Sequence, residues 1–341
     1  MDDLIRALLL PFDKGLLPLP GRAFLLRAEA SEALADWRGR LVCEQSLKPA
    51  FDRLAAAGFQ VVPRLEGRFA AGLVVLTKHK AENRANLARA WEHLEPGGLL
   101  VACGANATGA ASMERETDKA LGLDGRLSKH QARVFWTRRD AAAPPVLREW
   151  AAAGLPAPVA DTGLVARVGC FSHDRVDPGS RLLVAHLPEG VSGRVADLGA
   201  GWGYLSAEIL RRFDAVTGID LYEAEALALE DARTNIGLDR AAFHWHDVAA
   251  GLPDVAPYDW IVANPPFHEG RNADPGLGRA FIAAAWKAIR RRGKFVLVAN
   301  RHLPYEAELR RGFRDIAVLH DGDGFKVLLA SNRHDRLGER K

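Results

Sequence analysis

The stretch Trp260-Ile-Val-Ala-Asn-Pro-Pro-Phe-His268 decides how the chain is read. An apolar run that meets two prolines fits a buried central strand ending at the carboxyl edge of a parallel sheet, where open α/β sheets take their ligands. Asn264 then stands on the rim of that site. Each proline fixes its own φ and lacks an N–H, so the loop is stiff and its carbonyls stay free as acceptors. Asn264 adds a side-chain acceptor and Phe267 a flat apolar ring. The combination suits a planar group carrying an NH2.

With 341 residues, 48% of them hydrophobic, the chain has material for two ordinary domains and two cores. Asp2 and Asp3, with only a short apolar run before Pro11, do not make a secretory signal. No run reaches the roughly 18 apolar residues of a membrane helix. Cys43, Cys103 and Cys170 lie far apart without a C-x-x-C, which disfavours a disulfide framework or a structural zinc. The expectation is a cytoplasmic monomer with neither a membrane nor a metal as partner. A net charge of +3 and a pI near 8.8 permit a nucleic-acid partner without demanding one. Basic clusters occur at Arg290 to Arg292, Arg138-Arg139, Arg310-Arg311 and Lys129 to Trp136, the last mixed with aromatics. Each also fits a solvated helix end or loop.

The two halves repeat. Gly39-Arg-Leu-Val-Cys43, a helix up to about Ala57 and Gly58-Phe-Gln-Val-Val62 match Gly193-Arg-Val-Ala-Asp197, a helix ending near Phe213 and Ala215 to Asp220. Gly72 to Lys80, a helix through Trp91 and Pro96 to Asn106 match Trp260 to Phe267, a helix through Trp286 and Arg292 to Asn300. Strand and helix alternate in each, the pattern of an α/β doubly wound, mostly parallel sheet. Phe313 to Leu319 reads as a last parallel strand, followed by an edge hairpin over Asp321-Gly-Asp-Gly324 and Phe325 to Leu329. Cys43 to Pro49 stands in the repeat where the second half has Asp197 to Gly203, and Thr77-Lys-His-Lys80 where it has Asn264-Pro-Pro-Phe267. The first half thus reads as a copy that kept its core and lost its site. Proline-punctuated small residues put the boundary near 158, giving domains 1–158 and 159–341.

After the strand Val195-Ala-Asp-Leu198, Gly199, Gly201 and Gly203 form Asp-x-Gly-x-Gly-x-Gly, not the dinucleotide G-x-G-x-x-G. Glycine lets the backbone come within contact of a ligand. S-adenosylmethionine has no phosphate to seat on a helix terminus, and Asp197 can attract its ammonium, which favours a methyl donor over NAD. Asp220, 21 residues after Gly199, reads as the acceptor for both ribose hydroxyls, and Asp247, after the strand Phe243 to His246, as the acceptor for the adenine amine or as a helix cap. Phe171 and Ser172 fit the pocket from above, or a turn at the domain edge. His244 and His246 share a strand face, but no third ligand is spaced to join them.

On these residues the chain resembles the class I S-adenosylmethionine-dependent methyltransferases, and more closely the bacterial ribosomal RNA guanine-N2 methyltransferases of the RsmC and RlmG type. Phe171-Ser172 with Asp174, Asp177, Gly179 and Ser180 also matches that pattern. The resemblance implies two tandem Rossmann-like methyltransferase domains, the first degenerate, supporting the fold and contacting RNA, the second catalytic with S-adenosyl-L-methionine as cofactor. It implies ribosomal RNA or a ribosomal subunit as partner, small-subunit rRNA for one branch and large-subunit rRNA for the other. In such an enzyme Asn264 and the Pro265 carbonyl would hold the guanine amine, Phe267 would stack on the base, and Pro266 and His268 would line the substrate side. Arg271 and the loop to Gly278 fit a substrate gate or an ordinary loop. Adenine N6 or a protein glutamine offers a similar NH2, and a non-catalytic assembly factor could use the same fold.

Overall fold

Strands buried on both faces explain why helices alternate with them throughout. The computed structural model describes residues 2–129, 131–140, 142–253, 257–266, 268–269, 272–273 and 275–335, which divide into two compact units, Met1–Leu155 and Pro156–Lys341. The first runs α1 (Asp2–Asp13), β1 (Ala23–Leu26), β2 (Leu41–Glu44), α2 (Lys48–Ala56), β3 (Gln60–Val62), β4 (Phe69–Val75), α3 (Lys80–Glu92), β5 (Leu94–Ala105), α4 (Ala110–Leu121), β6 (Gly125–Lys129), β7 (Ala132–Arg138) and α5 (Pro145–Ala152). Its sheet has the order β3-β2-β1-β4-β5-β7-β6, parallel as far as β5 and antiparallel beyond. Leu25, Leu73 and Val101 pack with Ile5 and Leu8 of α1 on one face, while Phe24, Val74 and Leu100 pack with Trp91 of α3 on the other. The alternation is the period-2 pleat read through a sheet with helices on both sides.

The second unit opens with a short ladder of β8 (Ala157–Pro158) and β9 (Val165–Ala166). That ladder ties residues 157 and 158 to this unit, slightly before the boundary expected near 158. It continues with α6 (Pro178–Ala185), β10 (Gly193–Leu198), α7 (Tyr204–Arg212), β11 (Val216–Glu223), α8 (Ala226–Ile236), β12 (Ala241–Trp245) and β13 (Tyr258–Ala263). A small ladder of β14 (His268–Glu269) and β15 (Asn272–Ala273) precedes α9 (Pro275–Ala288), β16 (Ile289–Asn300), α10 (Tyr305–Gly312), β17 (Phe313–Gly322) and β18 (Phe325–Arg333). The sheet order is β12-β11-β10-β13-β16-β18-β17. Ala196, Ile261 and Leu297 belong to the core of one face and Val195, Val262 and Val298 to that of the other.

The two strand orders are the same, which corrects one part of the repeat. The counterpart of β10 is β1 and that of β11 is β2, so the segments at Gly39–Cys43 and Gly58–Val62 lie one strand further along than the sequence match put them. The first unit's equivalent of the glycine loop is therefore the turn after Leu26, starting at Arg27 (φ 55°), not Cys43 to Pro49. The pairing of β4 with β13 and of β5 with β16 follows the topology. Phe313 to Leu319 opens β17, which points the same way as β16 but pairs only with β18, antiparallel to both, so β17 and β18 together form the edge hairpin.

Close packing sets a limit in the first unit. A Cβ at Gly72 would collide with the buried Phe24 ring, which is held edge-on to Phe69 at 5.2 Å. Gly72→Ala is expected to destabilise the protein by about 1–3 kcal/mol. Gly21→Ala, with open space around its Cβ, should stay within about 0.5 kcal/mol of the parent, both read by chemical denaturation.

Candidate active site

The chain leaves β10 for β11 and β12 on one side, then returns to β13 on the other. That reversal is the switch point at which loops diverge and leave a crevice. Leu198 is in register with Tyr222 of β11 and with Ala263 of β13, so the loops beginning at Gly199 and Asn264 leave adjacent strands at the same level. They open into one cleft, whose lining includes Gly199, Ala200, Gly201, Trp202, Asn264, Asp177 and Ser180, with Phe171 and Ser172 beside them.

Gly201 (φ 56°) has open space where a Cβ would sit, so a ligand can rest on bare backbone there. Gly203 (φ 89°) heads α7, and its Cβ would come within 2.8 Å of Ile236 Cδ1. The loop is tied down from both sides. Gly199 N–H donates to the Tyr222 carbonyl (2.8 Å), and Trp202 Nε1 donates to the Phe171 carbonyl (3.1 Å), which holds the Phe171-Ser172 segment over the glycines. Phe171 is 67% exposed, a large apolar side chain at the cleft and not in the core.

Two acids lie at the base of the loop. Asp197 is fully buried; the Ser206 hydroxyl donates to its Oδ2 at 2.7 Å, while Oδ1 has no hydrogen-bond partner among the described residues. Burial pushes this carboxyl up to about 7, against the Ser206 bond and with the neighbouring Glu223 adding to the rise. Glu223 ends β11. Its Oε2 accepts the Gly201 N–H at 2.7 Å and its Oε1 the Glu225 N–H at 2.8 Å, and burial raises its carboxyl in spite of them.

Glu223 was missed by sequence reasoning, which ended β11 at Asp220. Asp220 lies inside β11, three residues short of its end. One oxygen accepts from His244 Nε2 (2.7 Å) and the other from Arg194 Nη2 (2.9 Å). Burial opposes ionisation there, but those two donors hold the carboxyl below the usual range. Asp220 is thus committed to a network within the sheet, and the acid that touches the glycine loop is Glu223. The apolar Leu221-Tyr222 that carries the strand onward was the available signal. Asp247 accepts the Ala249 N–H at 2.9 Å as the cap of a short 3₁₀ turn. His244 stacks on Tyr222 at 4.5 Å, and among the described residues no group of three or more His, Cys, Asp or Glu could hold a metal.

Asn264 Nδ2 donates to Asp177 Oδ2 and to Ser180 Oγ, both at 2.8 Å. Pro265 is buried and Pro266 exposed. Phe267, Arg271 and the side chain of His268 lie outside the described residues. No helix among the described residues is long and apolar enough to cross a membrane.

A doubly wound sheet with a glycine loop and an Asn-Pro-Pro loop facing one switch-point cleft defines a class I methyltransferase. A model of the small methyltransferase domain matches residues 161–329. The Ribosomal RNA small subunit methyltransferase C of Shewanella piezotolerans is 31% identical over 248 residues, 70% of each chain. That of Shewanella sediminis is 26% identical over 326 residues, 94% of this chain and 92% of its own. A solved T. thermophilus 16S rRNA N2 methyltransferase (RsmC), in complex with AdoMet and guanosine, superposes with a TM-score of 0.77 at 26% identity, covering 97% of this chain and 92% of that one. The chain belongs to the ribosomal RNA small subunit methyltransferase C family.

Asp197 gives a pH test that needs no ligand. Its folded value lies above the unfolded one, so the protonated form is favoured by folding and the group's stabilising term is lost as pH rises from about 3.8 through about 7. Asp197→Asn should be increasingly more stable than the parent across that window, with the difference level above it. Parallel melts from pH 4 to pH 8 check this; a constant difference would refute it.

Proposed function

We infer that the protein transfers the methyl group of S-adenosylmethionine to the exocyclic N2 of a guanine in 16S rRNA. The observation that carries this reading is the single cleft shared by the glycine loop and Asn264, in a chain of this family. The residues present fit the cofactor. Gly201 offers bare backbone, the unpaired Asp197 Oδ1 lacks the donor that an ammonium supplies, and Glu223 stands beside the loop to accept from ribose hydroxyls. Asp247 keeps one carboxylate oxygen for the adenine amine, and Phe171 and Ser172 cover the pocket.

The cofactor supplies an electrophilic methyl on a sulfonium. What the chain must add is direction, because the guanine N2 lone pair is delocalised into the ring. The Asn264 side-chain oxygen and the Pro265 carbonyl accept the two amine hydrogens and turn the lone pair out of the ring plane. Positioning of this kind contributes roughly 7–11 kcal/mol in favourable cases, and acceptors aimed at the developing positive charge add to it. Asparagine is no base, and none is required before attack. Phe267, which lies outside the described residues, would stack on the base for about 1–3 kcal/mol, and Pro266, His268 and Arg271 are the residues the sequence assigns to the substrate side.

The first unit supports the fold and contacts the RNA in this proposal. Its polar groups at the equivalent strand ends are satisfied internally. Glu44, at the end of β2, pairs with Arg89 at 2.7 Å, and after β4 the Asn83 side chain accepts from Thr77 N–H (2.7 Å) and donates to its carbonyl (2.8 Å).

With tritiated cofactor the protein should label guanine in 16S rRNA, and Asn264→Ala should lower the rate by about 100-fold or more with cofactor binding retained; label confined to adenine or to protein would refute the assignment. Glu223→Gln should weaken cofactor binding by about 10- to 100-fold, the worth of a charged hydrogen bond, whereas Asp220→Asn should leave the calorimetric Kd within about twofold. The reverse ranking would restore Asp220 as the ribose acceptor.

A further inference from the structure

We propose that Asp177 is a positioning residue, which fixes which end of the Asn264 amide is presented to the acceptor base. The inference rests on the function proposed above.

An asparagine amide has a donor end and an acceptor end of almost the same shape, and its neighbours decide which way it faces. At N2 methylation only the oxygen is useful, because the substrate amine is itself a donor. Asp177, read as a carboxylate, has no hydrogen to give, so the atom of Asn264 that meets its Oδ2 at 2.8 Å is the nitrogen. The second hydrogen of the same NH2 goes to Ser180 Oγ at 2.8 Å. Both donors are thereby used on the scaffold, and the carbonyl end of the planar group is turned away from them, within a cleft that Asn264 lines. A flipped amide would set oxygen against the carboxylate and aim a donor at a donor.

The segment Asp177-Pro-Gly-Ser180 is built to hold that carboxylate. Asp177 is the N-cap of α6, its Oδ2 accepting the Ser180 N–H at 2.9 Å, with Pro178 in the first turn. The oxygen that caps the helix is thus the one that holds Asn264, 87 residues further on. Gly179 leaves room for it: a Cβ there would lie 3.0 Å from Asp177 Oδ2 and 3.1 Å from Phe325 Cε1. A cap alone would be served by serine or threonine as well. Reaching Asn264 takes the longer aspartate.

The test separates these roles. Asp177→Ser keeps a capping oxygen that cannot reach Asn264. With 16S rRNA and small subunits lacking the modification, kcat should fall by about 100-fold, with KM and cofactor Kd within about threefold of the parent. Asp177→Asn, whose amide oxygen can take both N–H groups, should recover at least about tenfold of that loss. Asn264→Asp sets two carboxylates face to face and should be inactive; adding Asp177→Asn supplies a donor to the new carboxylate and should raise its rate by about tenfold or more. An Asp177→Ser enzyme with parental kcat, or an Asp177→Asn enzyme no better than it, would overturn the proposal. Hydrogen exchange of the Asn264 side-chain NH2, followed by NMR with Asn264→Ala as the assignment control, does not depend on turnover. Protection should be present in the parent and lost in Asp177→Ser, and unchanged protection refutes the positioning role. If the parent labels no guanine but the exchange result holds, the function proposed above fails while the contact stands.

Discussion

Everything in the second unit depends on two parallel strands, β10 and β13, ending at the same level where the chain reverses direction across the sheet. Hydrogen-bonded register puts Leu198 beside Ala263, and the next residue on each strand starts a loop that cannot continue the ladder. One loop is freed from side chains by glycine and the other is stiffened by proline. Neither loop makes a site alone. Their common level is a consequence of the core, because Val195 and Val262 face one helical layer and Ala196 and Ile261 the other. A one-residue slip would exchange the faces of every side chain on a strand, so the burial that stabilises the sheet also fixes the spacing of the two loops.

The polar groups along these strands fall into two kinds. Asp220, His244 and Arg194 satisfy one another, and so do the Tyr222 and Tyr258 hydroxyls at 2.8 Å. These are closed networks, and they hold β11 against its neighbours. Asp197 and Glu223 are different. They are crowded together under the glycine loop, burial raises both carboxyls, and Asp197 keeps an oxygen without a partner among the described residues. An unpaired buried carboxylate is costly unless a cation arrives. The proposed cofactor brings one. Ligand affinity and the instability of the empty site are then two sides of the same arrangement.

The strand-loop at Trp260–Pro266, the glycine spacing and the duplication were legible because each is written in local patterns: apolar runs, prolines, and glycines at fixed intervals. Three things were not. The end of β11 was placed at Asp220 because an aspartate after Gly-Ile looks like a strand terminus, whereas Leu221 and Tyr222 continue into the core and carry the edge to Glu223. The first half of the repeat was matched one strand out of register, since β1 is only four residues long and Gly39-Arg-Leu echoes Gly193-Arg-Val. The bond from Asn264 to Asp177 joins segments 87 residues apart, and no periodicity within either segment encodes it.

The duplication shows what separates a scaffold from a site. Both units have the same strand order and bury the same central strands, so the fold tolerates wide sequence change as long as the pleat stays apolar. What differs is whether the polar groups at the carboxyl edge are satisfied from within. In the first unit Arg89 neutralises Glu44 and Asn83 covers both backbone groups of Thr77. In the second, Gly201 leaves backbone bare and Asp197 is half-paired among the described residues. Asn264 is the instructive intermediate: its donor end is satisfied by Asp177 and Ser180, and its acceptor end makes no hydrogen bond among the described residues. Filling the polar requirements of one end while leaving the other open is how a rigid loop can be both stable and reactive, and it requires the partner at 177 to be an acceptor without a hydrogen of its own.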